Sequence, residues 1–168
     1  AIAEGLVLAA HDLCPVVLRP RGIYGFGDTA LVPRLLRAAR RGPLPLLRGG
    51  KARIDLTHVD DVVEAILAAL HAEPGIDGQV LNISGGEVLP ITEIAGLACS
   101  RAGMPLRGRR MPLAPLMFAA GLAERVCRML PGEPEPVVTR YGLALFAFAQ
   151  SLDLTKAKAQ LGWQPQVA

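Results

Sequence analysis

Three glycines, Gly22, Gly25 and Gly27, stand in the stretch RPRGIYGFGD, residues 19–28, between a β-branched run and a helix-like run. Glycines in that setting can form a loop whose backbone N–H groups, at a helix start, hold a phosphate. The spacing here is G-x-x-G-x-G, which differs from the G-x-G-x-x-G of a dinucleotide loop. Such a loop also needs a ribose-binding acid at a strand end about twenty residues later, and that region reads LPLLRGGKAR. The stretch fails the test as a phosphate loop. Tyr24, within it, reads either as the wall of a pocket or as plain core packing. Arg53 carries a fork-shaped cation suited to a phosphate, and a surface arginine on a strand is the other reading. His58 reads as a hydrogen-bonded junction residue, and Asp60 and Asp61 as helix-cap chemistry. His11, His58 and His71 show no metal-ligand spacing.

The elements that must position these residues alternate between strand and helix. Ile2 to Ala10 reads as a buried helix end, and VVLR (16–19) as a short parallel strand covered on both sides. Thr29 is the expected N-cap of a helix with Leu31, Leu35, Leu36 and Ala39 on one face, ended by Gly42 and Pro43. PLPLL and ARIDLTHV are strand-like. Asp60 is expected to cap a helix whose apolar face is Val63, Ile66, Leu67 and Leu70. Pro74, Gly75 and Gly78 mark a loop before the strand QVLNIS (79–84). Thr92 is expected to cap a helix over 93–102. A strand-like LRGRRM follows, then helical stretches at 113–130 and about 136–148 joined by PGEPEP, and a last helix from Thr155 to Gly162. The pattern predicts an α/β fold with a parallel sheet. The expected division is a Rossmann-like part over 1–103 and a smaller, mainly helical substrate cap over 104–168.

Composition limits the function classes. The 168 residues suffice for one domain with a real core, and at 51% hydrophobic and 20% charged the chain is no disordered tail. Arginines cluster at 34, 37, 40 and 41 and again at 107, 109 and 110, with a net charge of +3. Aromatics are 4% and no nucleic-acid-binding motif is visible, so a solvated basic face explains them and no nucleic-acid partner is expected. The greasy stretch from Leu113 to Ala123 is too short to span a bilayer, so no integral membrane segment is expected. Cys14, Cys99 and Cys127 form no C-x-x-C pair. Free, mostly buried thiols in a reducing, cytoplasmic setting are expected.

Four stretches together resemble the extended short-chain dehydrogenase/reductases, the NAD-dependent epimerase/dehydratase family. VVLRPRGIYGFGD is similar to that family's segment after the sixth sheet strand, and THVDDVVEAI to its next strand-to-helix junction. VLNISGGEVLPITEIA resembles its following strand and helix, and LDLTKAKAQLGWQP its C-terminal signature. RPRGIYG and the Pro-rich apolar tract 112–131 resemble most the branch of 3β-hydroxysteroid dehydrogenases and related sterol and 3-oxo-acyl reductases.

The resemblance implies an NAD- or NADP-dependent hydride transfer on a hydroxyl or carbonyl carbon of a small molecule. It puts the backbone of Pro20 and Ile23 against the nicotinamide carboxamide, with Gly22 and Gly25 permitting close approach, or serving turn geometry alone. It puts Tyr24 and Arg53 on the substrate side, and in nucleotide-sugar epimerases the matching arginine holds a diphosphate. The family's proton path is a tyrosine with a lysine four residues later. Neither Tyr24 nor Tyr141 has that lysine, since Asp28 and Leu145 stand there. AIAEGLVLAA resembles the helix after the lysine, so the chain reads as the C-terminal part of an enzyme whose Tyr–Lys pair lies upstream. By itself it is expected to be inactive, to bind NAD(P) weakly or not at all, and to pair as a homodimer.

Overall fold

The computed structural model describes residues 2–72, 75–130, 132, 136 and 139–167. Pro74, most of the link PGEPEP and residues 137–138 of the expected sixth helix lie outside the described residues. Strands and helices alternate as expected for an α/β chain. In order they are α1 (Ile2–Leu8), β1 (Val17–Pro20), β2 (Ile23–Tyr24), α2 (Val32–Arg41), β3 (Leu44–Leu47), β4 (Arg53–Asp55), β5 (Thr57–His58) and α3 (Val59–Leu70). Then come β6 (Val80–Ile83), β7 (Val88–Pro90), α4 (Ile91–Arg101), β8 (Gly108–Met111), α5 (Leu113–Met129), α6 (Arg140–Ala147) and α7 (Thr155–Leu161).

The chain forms two compact units, one of Ala1–Val32, Asp55–Val88 and Ser151–Ala168, the other of Pro33–Ile54 and Leu89–Gln150. The expected boundary at residue 103 does not coincide with a boundary between these units. In the first unit β1 runs parallel to β6, with Val17 opposite Val80 and Pro20 opposite Ile83. A second parallel pair sets Ile23 of β2 opposite Thr57 and Tyr24 opposite His58 of β5. Burial alternates along β6, with Leu81 and Ile83 fully buried, because successive side chains of a strand point to opposite faces. Ala65 of α3, Leu154, Ala157 of α7 and Trp163 close over them as the core. In the second unit β3 is parallel to β8, from Leu44 opposite Gly108 to Leu47 opposite Met111. The Arg48 guanidinium there lies 5.1 Å over the Phe148 ring.

Several local expectations are corrected. Helix α1 is not buried, since none of its residues is, and Ile2 and Leu6 are open to solvent. Strand β1 is covered less than expected: Val17 and Leu18 are half-buried and Arg19 and Pro20 exposed, with a strand partner on one edge only among the described residues. The cap before α2 is Asp28 rather than Thr29. Its carboxylate accepts from the N–H groups of Ala30, Leu31 and Val32 at 2.8, 2.9 and 2.8 Å. Burial raises the Asp28 pKa, but those three bonds outweigh it and hold it below the usual carboxylate range. His58, not Asp60, caps α3, its Nδ1 accepting from the Asp60 N–H at 3.3 Å. Helix α4 starts at Ile91, and the Thr92 hydroxyl donates back to the Gly50 carbonyl at 3.4 Å. Cys14 is exposed, with its backbone left-handed at φ 47°, whereas Cys99 is buried as expected.

The largest difference concerns α3. Its expected apolar face, Val63, Ile66, Leu67 and Leu70, is exposed, and its buried residues are Asp61 and Ala65. Small side chains let the helix lie close to β6 and α7. Asp61 turns inward because the C-terminal segment supplies donors: its carboxylate accepts from the N–H groups of Gln166 at 2.7 Å and Val167 at 3.3 Å. The Trp163 indole donates to the Asp61 carbonyl at 3.2 Å. Gly162, left-handed at φ 61°, ends α7 and turns the chain toward this contact.

Two outcomes are expected. Asp61→Ala removes a buried acceptor of two backbone donors and should lower the unfolding free energy by about 2–3 kcal/mol. Urea unfolding followed on Trp163, the one tryptophan, measures it, and a loss under about 0.5 kcal/mol would contradict the clasp. Separately, Glu4 is held by a two-pronged ion pair with Arg19, both contacts 2.7 Å, which lowers its pKa from 4.5 to about 2. A carboxylate with a depressed folded-state pKa contributes stability that is full above its unfolded value and is lost as pH falls. The contribution of Glu4 should therefore fade between pH 4.5 and about 2, and Glu4→Gln should remove that part of the acid dependence.

Candidate functional site

The residues 20–25 form one turn whose shape is dictated by its own backbone. The Arg21 N–H donates to the Ile83 carbonyl at 3.2 Å, and the Thr57 N–H donates to the Gly22 carbonyl at 3.2 Å. The Thr57 hydroxyl donates to the Arg21 carbonyl. Gly22 is left-handed at φ 54°, and a Cβ there would stand 2.7 Å from Leu56 Cδ2. Gly25, at φ 131°, would place a Cβ 2.8 Å from Val59 Cγ1 and 2.9 Å from His58 Nε2. Glycine is required at both positions by conformation and by contact. The close neighbours are the chain's own Leu56, His58 and Val59.

Beneath the turn lies a charge that sequence reasoning missed. Asp55 is 1% exposed. Its Oδ1 lies 3.4 Å from Arg21 Nε, and its Oδ2 accepts from the Ser84 hydroxyl at 2.9 Å and the Leu152 N–H at 2.8 Å. A carboxylate out of water is tolerated only when paired and hydrogen-bonded. Arg21, whose role the sequence left open, is thus the counter-charge of a buried anchor. The available signal was a charged residue two positions from Thr57 in a strand-like piece, with an arginine in the Pro-led turn.

Pro20, Gly22, Ile23 and Tyr24 all lie in this turn, with Pro20 and Ile23 exposed and Tyr24 half-buried. The Tyr24 ring meets His58 edge-on, centroids 5.2 Å apart at 79°. Burial, then the negative charges of Asp61 and Glu87, push the Tyr24 hydroxyl pKa up, so it keeps its proton at neutral pH. His58 holds the start of α3 and serves the junction. Arg53 is exposed on β4 and belongs to the second unit, where its carbonyl accepts from the Gln150 N–H at 2.8 Å. A shallow depression by Ala68, His71, Ile76 and Leu161 contains none of these residues. The turn sets the exposed residues Pro20 and Ile23 beside the half-buried phenol of Tyr24, and its backbone amides and carbonyls are of the kind that pair with a planar amide.

Comparison with known proteins gives the family of the chain. The model of the NAD dependent epimerase/dehydratase family matches residues 3–84. The chain is 35% identical over its whole length to a 2-alkyl-3-oxoalkanoate reductase of Stenotrophomonas maltophilia (strain K279a), covering 52% of it. It is 30% identical, over 99% of its length, to the sterol-4-alpha-carboxylate 3-dehydrogenase of Schizosaccharomyces pombe, covering 51% of it. The crystal structure of a dTDP-glucose 4,6-dehydratase from Streptomyces venezuelae with NAD bound superposes at TM-score 0.65. It is 22% identical, over 99% of this chain and 44% of that one. The chain spans about half the length of the relatives it matches. It belongs to the NAD dependent epimerase/dehydratase family.

Removing the anchor tests its weight. Asp55→Ala removes the buried carboxylate beside Arg21 and the acceptor shared by Ser84 and the Leu152 N–H, and should cost about 3–5 kcal/mol in denaturant unfolding. A loss below about 1 kcal/mol would show that the pair does not hold the turn.

Proposed function

We propose that these residues form the C-terminal half of an NAD(P)-dependent oxidoreductase that transfers hydride to or from a carbon bearing a hydroxyl or carbonyl, on a sterol-like or 3-oxo-acyl substrate. The observation that carries this is the pinned turn with Pro20 and Ile23 exposed along it, in a chain of this family. Backbone groups of Pro20 and Ile23 would hold the nicotinamide carboxamide, because a fixed turn presents donor and acceptor without further ordering. Gly22 and Gly25 keep that turn close to β5. Tyr24 would wall the substrate side, orienting it as a protonated hydrogen-bonding group. The cofactor, NAD or NADP, supplies the hydride acceptor or donor. The proton would move through a tyrosine–lysine pair outside these residues, so a chain of just these 168 residues is expected to be inactive and to bind NAD(P) at best weakly.

In this reading residues 1–103 serve the cofactor side and 104–168 the substrate cap, in a cytoplasmic homodimer. The apolar class of substrate is supported by the names of the similar reductase and sterol dehydrogenase and by the apolar tract from Met111 to Val126. Arg53 supports a second reading, a nucleotide-sugar substrate whose diphosphate it would hold. A non-catalytic NAD(P)-fold subunit is the third.

The complete enzyme should oxidise NAD(P)H with a 2-alkyl-3-oxo acid, or reduce NAD(P)⁺ with a 3β-hydroxysterol, and should leave UDP-glucose unchanged. Turnover of the nucleotide sugar alone would favour the second reading, and turnover of none the third. Arg53→Ala should change kcat/KM on the apolar substrate by less than about threefold, whereas a loss of about tenfold or more would place Arg53 on a substrate phosphate.

A further inference from the structure

We infer that Glu4 and Arg19 are positioning residues, whose two-pronged ion pair sets the nicotinamide turn against helix α1. Arg19 Nε and Nη2 donate to Glu4 Oε1 and Oε2, each at 2.7 Å. Both residues belong to the first compact unit. Arg19 stands directly before Pro20, where the turn begins. The inference rests on the proposed function, in which α1 follows the tyrosine–lysine pair and the backbone of Pro20 and Ile23 holds the carboxamide.

The turn is supported from two sides. Asp55, Thr57 and the Ile83 carbonyl hold it through Arg21 and Gly22. Those contacts come from β4, β5 and β6. The fork comes from α1, and it grips the chain one residue before the turn. Helix α1 buries none of its residues, so packing alone leaves its place against β1 loose. In the register of β1, Arg19 stands opposite Asn82 of β6, which itself donates to the Asp153 carbonyl at 3.2 Å. The strand that carries the arginine is thus fixed to β6, and the fork extends that position to α1.

A surface ion pair commonly does little, because ordering two long side chains offsets the attraction, and the side chains of Arg19 and Glu4 are 49% and 24% exposed. The geometry separates this pair from that case. A planar guanidinium that meets both carboxylate oxygens fixes orientation as well as distance. The Glu4 carboxyl, lowered to about 2 chiefly by the Arg19 hydrogen bond, stays ionised at neutral pH, so titration does not open the fork there. What the fork supplies is alignment: a displacement of about 1 Å at the reacting atoms costs on the order of a hundredfold in rate.

The test is calorimetric titration of the complete enzyme with NAD(P)H and with the matching ADP-ribose, which lacks only the nicotinamide. In Glu4→Gln and in Arg19→Gln the affinity for NAD(P)H should fall by about fivefold or more, with that for ADP-ribose changed by less than about twofold. The doubly altered enzyme should lose no more than the worse single variant, because the two residues act as one unit. In turnover kcat should fall by about tenfold or more, with the KM of the carbonyl substrate within about threefold. Arg19→Lys keeps the charge without the fork. It should show the same selective loss at smaller size, and it carries the test where a glutamine variant does not fold. Equal losses for both ligands, additive losses in the double variant, or an Arg19→Lys enzyme that binds both ligands as before would overturn the inference. An unaltered enzyme that neither binds nor turns over NAD(P)H defeats the proposed function and this inference with it. An active enzyme whose variants keep its affinity and rate defeats the inference alone.

Discussion

The buried carboxylate of Asp55 ties three distant parts of the chain to one point. Arg21 reaches it from the turn after β1, Ser84 from the end of β6, and the Leu152 N–H from the C-terminal segment. A carboxyl group this deep has no water to solvate it, so its partners must be present together for any arrangement to be tolerable. The turn from Pro20 to Gly25 therefore depends on the core beneath it. Asp61, six residues on, does the same for Gln166 and Val167. The two acids receive the two ends of the segment that runs through α7, and Trp163 packs into the core between those contacts.

Much of this was legible in the sequence because it depends on periodicity and local backbone chemistry. Alternation of β-branched runs with helical stretches gave the α/β class, and Gly103 and Gly162 marked helix ends that the structure places where expected. The half-buried face of α2 at Leu35, Leu36 and Ala39 also follows its pattern. Caps were less legible, since Asp28 competes with Thr29 and His58 with Asp60, and adjacent residues of suitable type differ only in the direction of the incoming chain. The buried face of α3 was not legible at all. Periodicity selected Val63, Ile66, Leu67 and Leu70, but which side is covered is decided by segments far away in sequence. Asp55 was hidden for the same reason: its partners are 34, 29 and 97 residues away.

The candidate site was legible in part. Its glycines were visible, and their failure as a phosphate loop followed from spacing. The structure adds that Gly22 and Gly25 are needed where the turn meets Leu56, His58 and Val59. Family membership then gives the turn a chemical context that its geometry lacks, and the role proposed for it, orienting cofactor and substrate, asks no proton transfer of it.

The most direct measurement is a crystal structure of the complete enzyme with NAD(P)⁺ bound. Expected are hydrogen bonds from the nicotinamide carboxamide to the backbone of Pro20 and Ile23, with the Arg21–Asp55 pair in place beneath them. A carboxamide held by other residues, with the turn from Pro20 to Tyr24 out of reach of the ring, would contradict the assignment of this turn as the nicotinamide wall.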